Sequence, residues 1–184
     1  SAGSVQLNAA SVATTGAVSF NDNVTLGADV TVSTNNAAVL FGGTVDSADN
    51  TARDLTINAG TGAVRLAGAV GTTKALDAVT LNSTGQTRID GAMTVGSLTT
   101  NAGGTTRLNG GAVTASGAIT FNEALSLGAT TTLDGQSATF ASTVNGTYDL
   151  TVNASGATIF GGLVGNTAPL ASLTTDSAGS VQLN

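Results

Sequence analysis

The chain has 184 residues, of which 41% are hydrophobic, 3% aromatic and 9% charged, and it contains no His, Cys or Trp. Enough Ala, Val, Leu and Ile are present to bury a core, which excludes a disordered chain, but the shortage of aromatic side chains favours a narrow interior. The net charge of −6 disfavours nucleic acid and anionic lipid as partners, and the absence of Cys excludes a disulfide framework or a thiolate metal site.

The chain begins and ends with the same octapeptide. Ser1–Asn8 and Ser177–Asn184 both read SAGSVQLN, at a spacing of 176 residues. Repetition at a fixed spacing is typical of solenoids and tandem arrays. We therefore interpret 1–176 as one unit and 177–184 as the start of the next. We expect the second octapeptide to occupy the same position in its coil as the first.

A second repeat lies inside the unit. Gly16–Leu26 (GAVSFNDNVTL) matches Gly117–Leu127 (GAITFNEALSL) at a spacing of 101 residues. The unit thus divides into duplicated halves, 1–101 and 102–176, within one continuous segment, 1–184.

A polar loop follows the first of these repeats. It contains Asp46, Asp49, Asn50 and Asp54, and oxygen ligands at this density are able to hold Ca²⁺. The surrounding glycines do not repeat as they do in calcium-binding rolls, which favours a solvated surface loop. We predict no metal site, no cofactor and no catalytic residues.

A short motif of the form Leu-Thr-x-Asn begins at Leu55, Val79, Leu98, Leu150 and Leu173. Strict alternation of apolar and polar residues predicts short strands with one buried face, and the Asn, Gly and Ser clusters that follow predict turns. Each copy ends in a polar corner residue, and we predict that these residues stack as a structural corner ladder: Asn58, Asn82, Asn101, Asn153 and Asp176. The alternative is N-glycosylation, since Asn23, Asn82, Asn145 and Asn153 match the acceptor pattern.

Pairs of apolar residues four positions apart recur at intervals of about 20 residues. These intervals predict an all-β fold, a single-stranded parallel β-helix (β-solenoid) of about nine coils per unit, rising about 43 Å. Seven larger coils are the alternative. The same alternation predicts a set of buried residues: Leu7, Phe20, Phe41, Leu55, Ile57, Leu66, Ile89, Leu108, Phe121, Phe140, Leu150 and Phe160.

Two polar columns are predicted on the surface. The first comprises Thr56, Thr80, Thr99, Thr151 and Thr174, for which an ordinary exposed strand position is favoured over an ice-binding face. The second comprises Arg65, Arg88 and Arg107, which we expect on neighbouring coils about 4.8 Å apart. Stacking with interleaved acids is the favoured interpretation of these arginines, and a small anion-binding strip is the alternative.

With its coil length, its L-T-x-N-x-x-G corners and its Val and Leu strands, the whole chain resembles filamentous-haemagglutinin-type bacterial surface proteins. These are long right-handed β-helices exported by two-partner secretion or as related autotransporters. The resemblance implies a secreted or cell-anchored stalk that extends an adhesin or builds a matrix or filament, and it transfers no catalytic residues.

We therefore expect a structural, non-enzymatic segment of an extracellular fibre. Its partners would be further copies stacked end to end, other fibres or a host cell surface, with no nucleic acid and no membrane span, since no run approaches the length that a span requires. Two rival functions are an ice-binding β-solenoid and a carbohydrate-active β-helix enzyme. The enzyme is disfavoured because the acids are scattered and Tyr148 is the only aromatic residue with a polar tip.

Overall fold

The computed structural model describes residues 3–184, and these residues form short strands joined by turns, with no helix. Alternating side chains and frequent Gly, Asn and Ser explain this pattern, because each strand has one apolar face and ends at a turn-forming residue. The strands are β1 (Ser4–Leu7), β2 (Ser11–Thr14), β3 (Val18–Phe20), β4 (Asn23–Leu26), β5 (Val30–Thr34), β6 (Val39–Phe41), β7 (Val45–Ser47), β8 (Leu55–Gly60), β9 (Val64–Leu66), β10 (Leu76–Ser83), β11 (Gln86–Ile89), β12 (Met93–Thr100), β13 (Thr105–Leu108), β14 (Ala112–Ala115), β15 (Ala118–Phe121), β16 (Ala124–Leu127), β17 (Thr131–Gly135), β18 (Ser137–Phe140), β19 (Val144–Asn145), β20 (Asp149–Ala154), β21 (Ala157–Phe160), β22 (Ser172–Thr175) and β23 (Ser180–Leu183).

The strands stack in parallel as a solenoid with three faces. Face 1 contains β1, β4, β7, the start of β12, β14, β17, β20 and β22, with Val70 bridging β7 to β12. Face 2 contains β2, β5, β8, β10, the end of β12, β15, β18, β21 and β23. Face 3 contains β3, β6, β9, β11, β13, β16 and β19. We number the coils 1 to 9 from the first strand, and we name the corners by the faces that they join.

The predicted fold is confirmed: the chain is an all-β parallel solenoid of about nine coils. The long strand β12 shows how faces 1 and 2 meet. Its first residues pair with β14 and its last residues pair with β15, so one continuous strand serves both faces in coil 5. Faces 1 and 2 are therefore joined at this level without a sharp corner.

The core is a narrow column of inward-facing Val, Leu, Ile and Phe side chains. Phenylalanines stack at equivalent strand positions of successive coils. The ring centroids of Phe121 and Phe140 are 5.8 Å apart, those of Phe140 and Phe160 are 4.8 Å apart, and Phe20 and Phe41 form a separate pair at 5.0 Å. Stacking of identical residues in register fills the axis without large side-chain variety.

Ten of the twelve side chains predicted to be buried are buried. The other two, Leu7 and Phe20, are only partly buried, although they pack against the core. Both lie in coil 1, which has a neighbouring coil on one side alone. The alternation of the strands was therefore assigned correctly, and position along the axis decides how completely each residue is covered.

The prediction that both octapeptides occupy the same position in their coils is wrong. In the first copy Ser4–Leu7 forms β1 on face 1, where Leu7 pairs with Leu26, whereas in the second copy Ser180–Leu183 forms β23 on face 2, where Leu183 pairs with Phe160. The spacing of 176 residues therefore equals about eight turns and one further face, and each octapeptide lies one third of a turn from the other. The physical reason is that all three faces accept the same alternation of inward Val and Leu with outward Ser and Gln.

Two columns of stacked glycines border face 3. One column, at the corner between faces 3 and 1, contains Gly68, Gly91 and Gly110, and a Cβ atom on each would lie 2.0–2.3 Å from the carbonyl oxygen of the glycine in the coil before it. The other column, at the corner between faces 2 and 3, includes Gly85 and Gly104, where the corresponding distance is 2.4 Å for Gly104. Such close backbone approach admits glycine alone, so these columns set the sharp edges of face 3.

Candidate functional site

The structure places the five predicted corner residues in two columns. Asn58 and Asn82 lie near the ends of β8 and β10, Asn101 directly follows β12, and the aligned pairs of these strands put the three residues on successive coils of face 2. Asn153 belongs to β20 on face 1, in line with Asp134, and Asp176 directly follows the neighbouring strand β22. The predicted single ladder is thus divided, because the motif moves to another face between the two halves of the unit.

Side-chain hydrogen bonds connect the first column over three coils. Asn82 Nδ2 donates to Asn58 Oδ1 at 2.8 Å, and Asn58 Nδ2 donates to Ser33 Oγ at 3.4 Å. Asn101 is not joined to Asn82 in this way, since its Oδ1 accepts from the Ser83 amide at 2.8 Å. A register shift at Ser83, where β10 pairs with β8, accompanies this change of partner.

The second column contains a charge-assisted bond. Asn153 Nδ2 donates to Asp134 Oδ1 at 2.7 Å, which connects coils 7 and 8. Asp176 joins this column through its backbone, whose amide donates to the Val152 carbonyl at 3.2 Å. Both columns therefore tie one coil to the next at a corner, which is a structural task.

The predicted threonine column is also divided, and on face 2 it is longer than expected. Thr56, Thr80 and Thr99 are aligned there, whereas Thr151 and Thr174 are aligned on face 1. The register extends the face 2 column over six consecutive coils, through Thr31, Thr56, Thr80, Thr99, Thr120 and Thr139. Two positions further along the strands the outward residues are Ser33, Asn58 and Asn82 in coils 2 to 4, so the neighbouring column is not threonine.

The three arginines form a column on face 3, as predicted from their spacing. Arg65, Arg88 and Arg107 pair with one another on β9, β11 and β13, and all three side chains are exposed. Asp90 accepts from Arg65 Nε and from Arg88 Nε, each at 2.7 Å. Arg107 Nε instead donates to Asn109 Oδ1 at 3.0 Å. The Asp90 carboxylate therefore pairs with two of the three guanidinium groups, and the third binds an amide oxygen.

Asp90 is only 12% exposed, and its surroundings favour the ionised form. Burial opposes ionisation, but hydrogen bonds from Asn109, Arg88 and Arg65 outweigh it, and the pKa of this carboxyl is lowered. Asp90 is therefore charged over the whole physiological range and holds Arg65 and Arg88 in place through their Nε atoms. The remaining nitrogens of each guanidinium lie outside these two ion pairs.

Three aspartates lie along the edge of the solenoid that is opposite the arginine column of face 3, at the corner between faces 1 and 2. Asp29 Oδ1 accepts from the Asp54 amide at 3.1 Å, and Asp54 Oδ1 accepts from the Ala78 amide at 2.9 Å. Asp77 continues the series, with its Oδ1 placed over Gly96 of the following coil. Asp29 and Asp54 thus each use one oxygen to bind the backbone of the next coil. We call Asp29, Asp54 and Asp77 the acidic edge.

The polar loop beside this edge uses its aspartates for backbone contacts. Asp46 is buried, and its Oδ1 accepts from the amides of Thr73 and Lys74 at 2.9 and 3.1 Å. Asp49 Oδ1 accepts from the Thr51 amide, and this bond is the main cause of the lowered pKa of Asp49. Within residues 3–184, no three His, Cys, Asp or Glu residues are grouped to hold a metal ion.

A shallow groove of about 310 Å³ lies next to the acidic edge. Leu76, Asp77, Thr94 and Gly96 contribute to its walls, and Ala52 comes from the polar loop. The groove lies beside β12, which serves both faces 1 and 2 without a sharp corner. Its walls are therefore formed mainly by small and apolar residues, with Asp77 among the lining residues.

Glu123 is a buried acid that the sequence analysis did not identify. Its side chain is 3% exposed, Oε1 accepts from Thr106 Oγ1 at 2.5 Å, and Oε2 has no hydrogen-bond partner. Burial raises the pKa of this carboxyl, and the bond from Thr106 offsets the effect only in part. Its position in the repeat corresponds to the exposed Asp22, so the sequence offered no signal that this acid faces inward.

No family model, curated protein or solved structure matches this chain. Across residues 3–184, no helix has the length and apolar character that a transmembrane segment needs. The features available for function are therefore the repeated coil, the arginine column, the acidic edge and the threonine column.

Proposed function

We propose that the chain is a structural segment of an extracellular fibre, stalk or surface filament built from tandem β-helix units, in the manner of filamentous-haemagglutinin-like surface proteins. The observation that carries the proposal is that both copies of SAGSVQLN form strands in parallel register with a neighbouring coil, although they lie on different faces. A solenoid that accepts the same sequence on two faces is able to continue into further units without a specialised boundary.

The surface of coil 9 supports the same proposal. Leu183 is 72% exposed and Val181 is 49% exposed, although the residues of β21 that pair with them in the coil before, such as Phe160, are buried. A further coil placed on this end would cover these side chains and pair the unpaired backbone of β23. In the proposed fibre, the partner at this surface is another copy of the unit, stacked end to end.

Each added unit would turn the surface pattern by about one third of a turn, because the octapeptide moves from face 1 to face 2 over 176 residues. At one strand spacing per coil, a unit advances the fibre by about 40 Å. Three units restore the original orientation. Length and stiffness obtained in this way suit a stalk that carries an adhesin or builds a matrix, and we infer no enzymatic activity.

The test is a tandem protein in which residues 1–176 precede a complete copy of 1–184. Small-angle X-ray scattering should show a rod about 40 Å longer than the single chain, with an unchanged cross-section. Two beads joined by a flexible link, or a compact particle, would contradict the fibre. Labelling of intact source cells with antibodies against the chain tests the extracellular location separately.

Ice binding is a second candidate, favoured by the six-coil threonine column on face 2. A column of methyl and hydroxyl groups at regular spacing is the feature that such a function would use. The adjacent column of Ser33, Asn58 and Asn82 interrupts the flat threonine surface. Thermal hysteresis of the purified chain decides the matter: a clear freezing-point depression that Thr80→Tyr removes would support ice binding over a purely structural role.

A further inference from the structure

The positive charge of the molecule is concentrated on one face. The chain contains five Lys and Arg residues, and three of them are the arginine column of coils 3 to 5. The outward positions above and below this column on face 3 are neutral: Ser19, Leu40, Ser126 and Asn145. With Asp90 as the acid held within it, the column carries a local charge of +2, although the whole chain carries −6.

The acidic edge lies on the other side of the same coils. In a three-faced solenoid, the corner between faces 1 and 2 is the vertex opposite face 3. The acidic edge occupies coils 2 to 4, and the two remaining cations of the chain lie near it. Both are engaged locally: Arg53 contacts Asp49 at 3.5 Å, and Lys74 Nζ donates to the Ala48 carbonyl at 3.2 Å. Coils 2 to 5 are thus basic on one side and acidic on the opposite side.

The two columns also match in spacing. Successive arginines and successive acidic residues are each separated by one coil, about 4.8 Å along the axis, with Asp77 displaced by one residue along its strand from the position aligned with Asp54. When two solenoids lie side by side with their axes parallel, three guanidinium groups of one molecule can face three carboxylates of another. Each exposed pair contributes little alone, but three pairs in register act together and align the molecules along their axes.

We propose that the arginine column on face 3 binds the acidic edge of a second copy of this chain, so that solenoids associate side by side. The contact is heterologous, because it joins two different surfaces, and it leaves a pair of molecules with one free arginine column and one free acidic edge. Lateral growth into a ribbon or bundle of parallel solenoids follows. This contact is separate from the end-to-end stacking in the proposed fibre.

The first measurement is sedimentation velocity of the intact chain at low and high salt. The Debye length falls from about 30 Å at 0.01 M to about 3 Å at 1 M ionic strength, so an electrostatic contact is present at the lower and lost at the higher concentration. We expect oligomers at low salt and loss of these oligomers at high salt. End-to-end association of apolar coils would instead persist at high salt, which separates the two contacts.

Two variants assign the surfaces. The first replaces Arg65, Arg88 and Arg107 with Gln, and the second replaces Asp29, Asp54 and Asp77 with Asn. Asn keeps the Oδ1 acceptors that bind the next coil, and Gln keeps a donor for Asp90. Each variant should be free of lateral oligomers at low salt. An equimolar mixture should form a complex limited to one copy of each, because each variant retains the surface that the other lacks.

Matched controls separate position from net charge. Replacing Asp134, Asp149 and Asp176 with Asn removes the same charge as the second variant, but from face 1 of coils 7 to 9, and it should leave low-salt association unchanged. The Lys variants of the three arginines keep the charge and should still associate. Circular dichroism and thermal melting confirm that every variant is folded.

The proposal is overturned if the wild-type chain is monomeric at low salt, or if high salt disperses none of its low-salt oligomers. It is also overturned if the two variants fail to combine when mixed, or if the control on face 1 disrupts association as strongly as the acidic-edge variant. Binding of the arginine column to a soluble polyanion such as polyglutamate, without any effect of the acidic-edge variant on self-association, would assign face 3 to another partner.

Discussion

The same sequence motif lies on different faces in the two halves of the molecule. In coils 3 to 5, the residues that begin at Leu55, Val79 and Leu98 form face 2, whereas in coils 8 and 9 those that begin at Leu150 and Leu173 form face 1. The repeating element is therefore one strand with its corner, and not one complete coil. Faces are interchangeable because every inward position leads to the same narrow core.

The two duplicated segments also lie on different faces, and the acid at their corners differs in burial. Gly16–Leu26 places Asp22 at an exposed corner between faces 3 and 1, whereas Gly117–Leu127 places Glu123 at the corner between faces 2 and 3. There the longer side chain lies over Gly104, whose missing Cβ leaves the space, and 2.6 Å separates Oε2 from the position that this Cβ would occupy. Strands exchange freely between faces, but the corners differ.

The largest effect is expected in the stacked aromatic core. Phe140 lies between Phe121 and Phe160 on face 2, and Phe41 is fully buried on face 3. Replacement of either residue by Ala leaves a cavity and should cost about 3–5 kcal/mol of the free energy of unfolding. Chemical denaturation measures both values, and a difference between Phe140→Ala and Phe41→Ala much greater than about 1 kcal/mol would show that the faces are not equivalent.

Phe20→Ala is the control for this experiment, since Phe20 is only partly buried in coil 1. Its substitution should cost distinctly less than that of Phe41, its stacking partner. An equal cost would mean that coil 1 is covered by another molecule in solution.

A smaller loss is expected from the glycine corners. A Cβ on Gly91 would lie 2.3 Å from the Gly68 carbonyl oxygen, whereas a Cβ on Gly16 would have no atom within 4 Å. Gly91→Ala should therefore destabilise the fold by about 1–3 kcal/mol, as overpacking does, and Gly16→Ala should be close to neutral. The melting temperatures of the two variants are compared. A loss for Gly91→Ala alone would show that the glycines of the corner column, and not glycine in general, allow the coils to approach closely.

Much of this architecture could be predicted from the sequence. Alternation in segments such as Leu55-Thr56-Ile57 specified strands and their buried sides, and the spacing of Arg65, Arg88 and Arg107 specified neighbouring coils. The face of each strand could not be predicted, because inward Val and Leu are compatible with all three faces. The number of residues in each corner decides the face, and corners of Gly, Asn and Ser carry no periodic signal.

The candidate surfaces were predicted unevenly for the same reason. The arginine column uses one motif in three consecutive coils, so its alignment followed from spacing alone. Asp29 and Asp54 directly precede the first residues of β5 and β8, and the register aligns them, but Asp77 lies inside β10, one residue before the position aligned with Asp54. Glu123 could not be recognised as buried, because its orientation depends on Gly104 in the preceding coil.

Loss of one corner hydrogen bond should have a modest effect. Asn82→Ala removes the bond to Asn58, and Asn153→Ala removes the bond to Asp134. We expect about 1 kcal/mol for Asn82→Ala and somewhat more for Asn153→Ala, because its acceptor is charged. A double-mutant cycle of Asn58 and Asn82 measures their coupling, and a coupling near zero would show that the first column has no energetic role.

The smallest expected difference is one of pH dependence, and it contrasts the two corners directly. Because burial raises the pKa of Glu123 in the folded chain above its value in the unfolded chain, this group favours folding under acidic conditions. That contribution is fully present below the unfolded pKa and is lost as the pH rises through the folded pKa. Compared with wild type, Glu123→Gln should therefore become relatively more stable as the pH increases above about 4.5, the ordinary value for glutamate.

Denaturation of both proteins between acidic and neutral pH measures this difference in slope, and Asp22→Asn, which removes the matching carboxyl from an exposed corner, is the control. The slope that Glu123→Gln removes should remain in Asp22→Asn. Parallel profiles for wild type and Glu123→Gln would mean that Glu123 is solvated in the folded chain. The two corners would then be equivalent, and the interchangeability of faces would extend from the strands to the turns that join them.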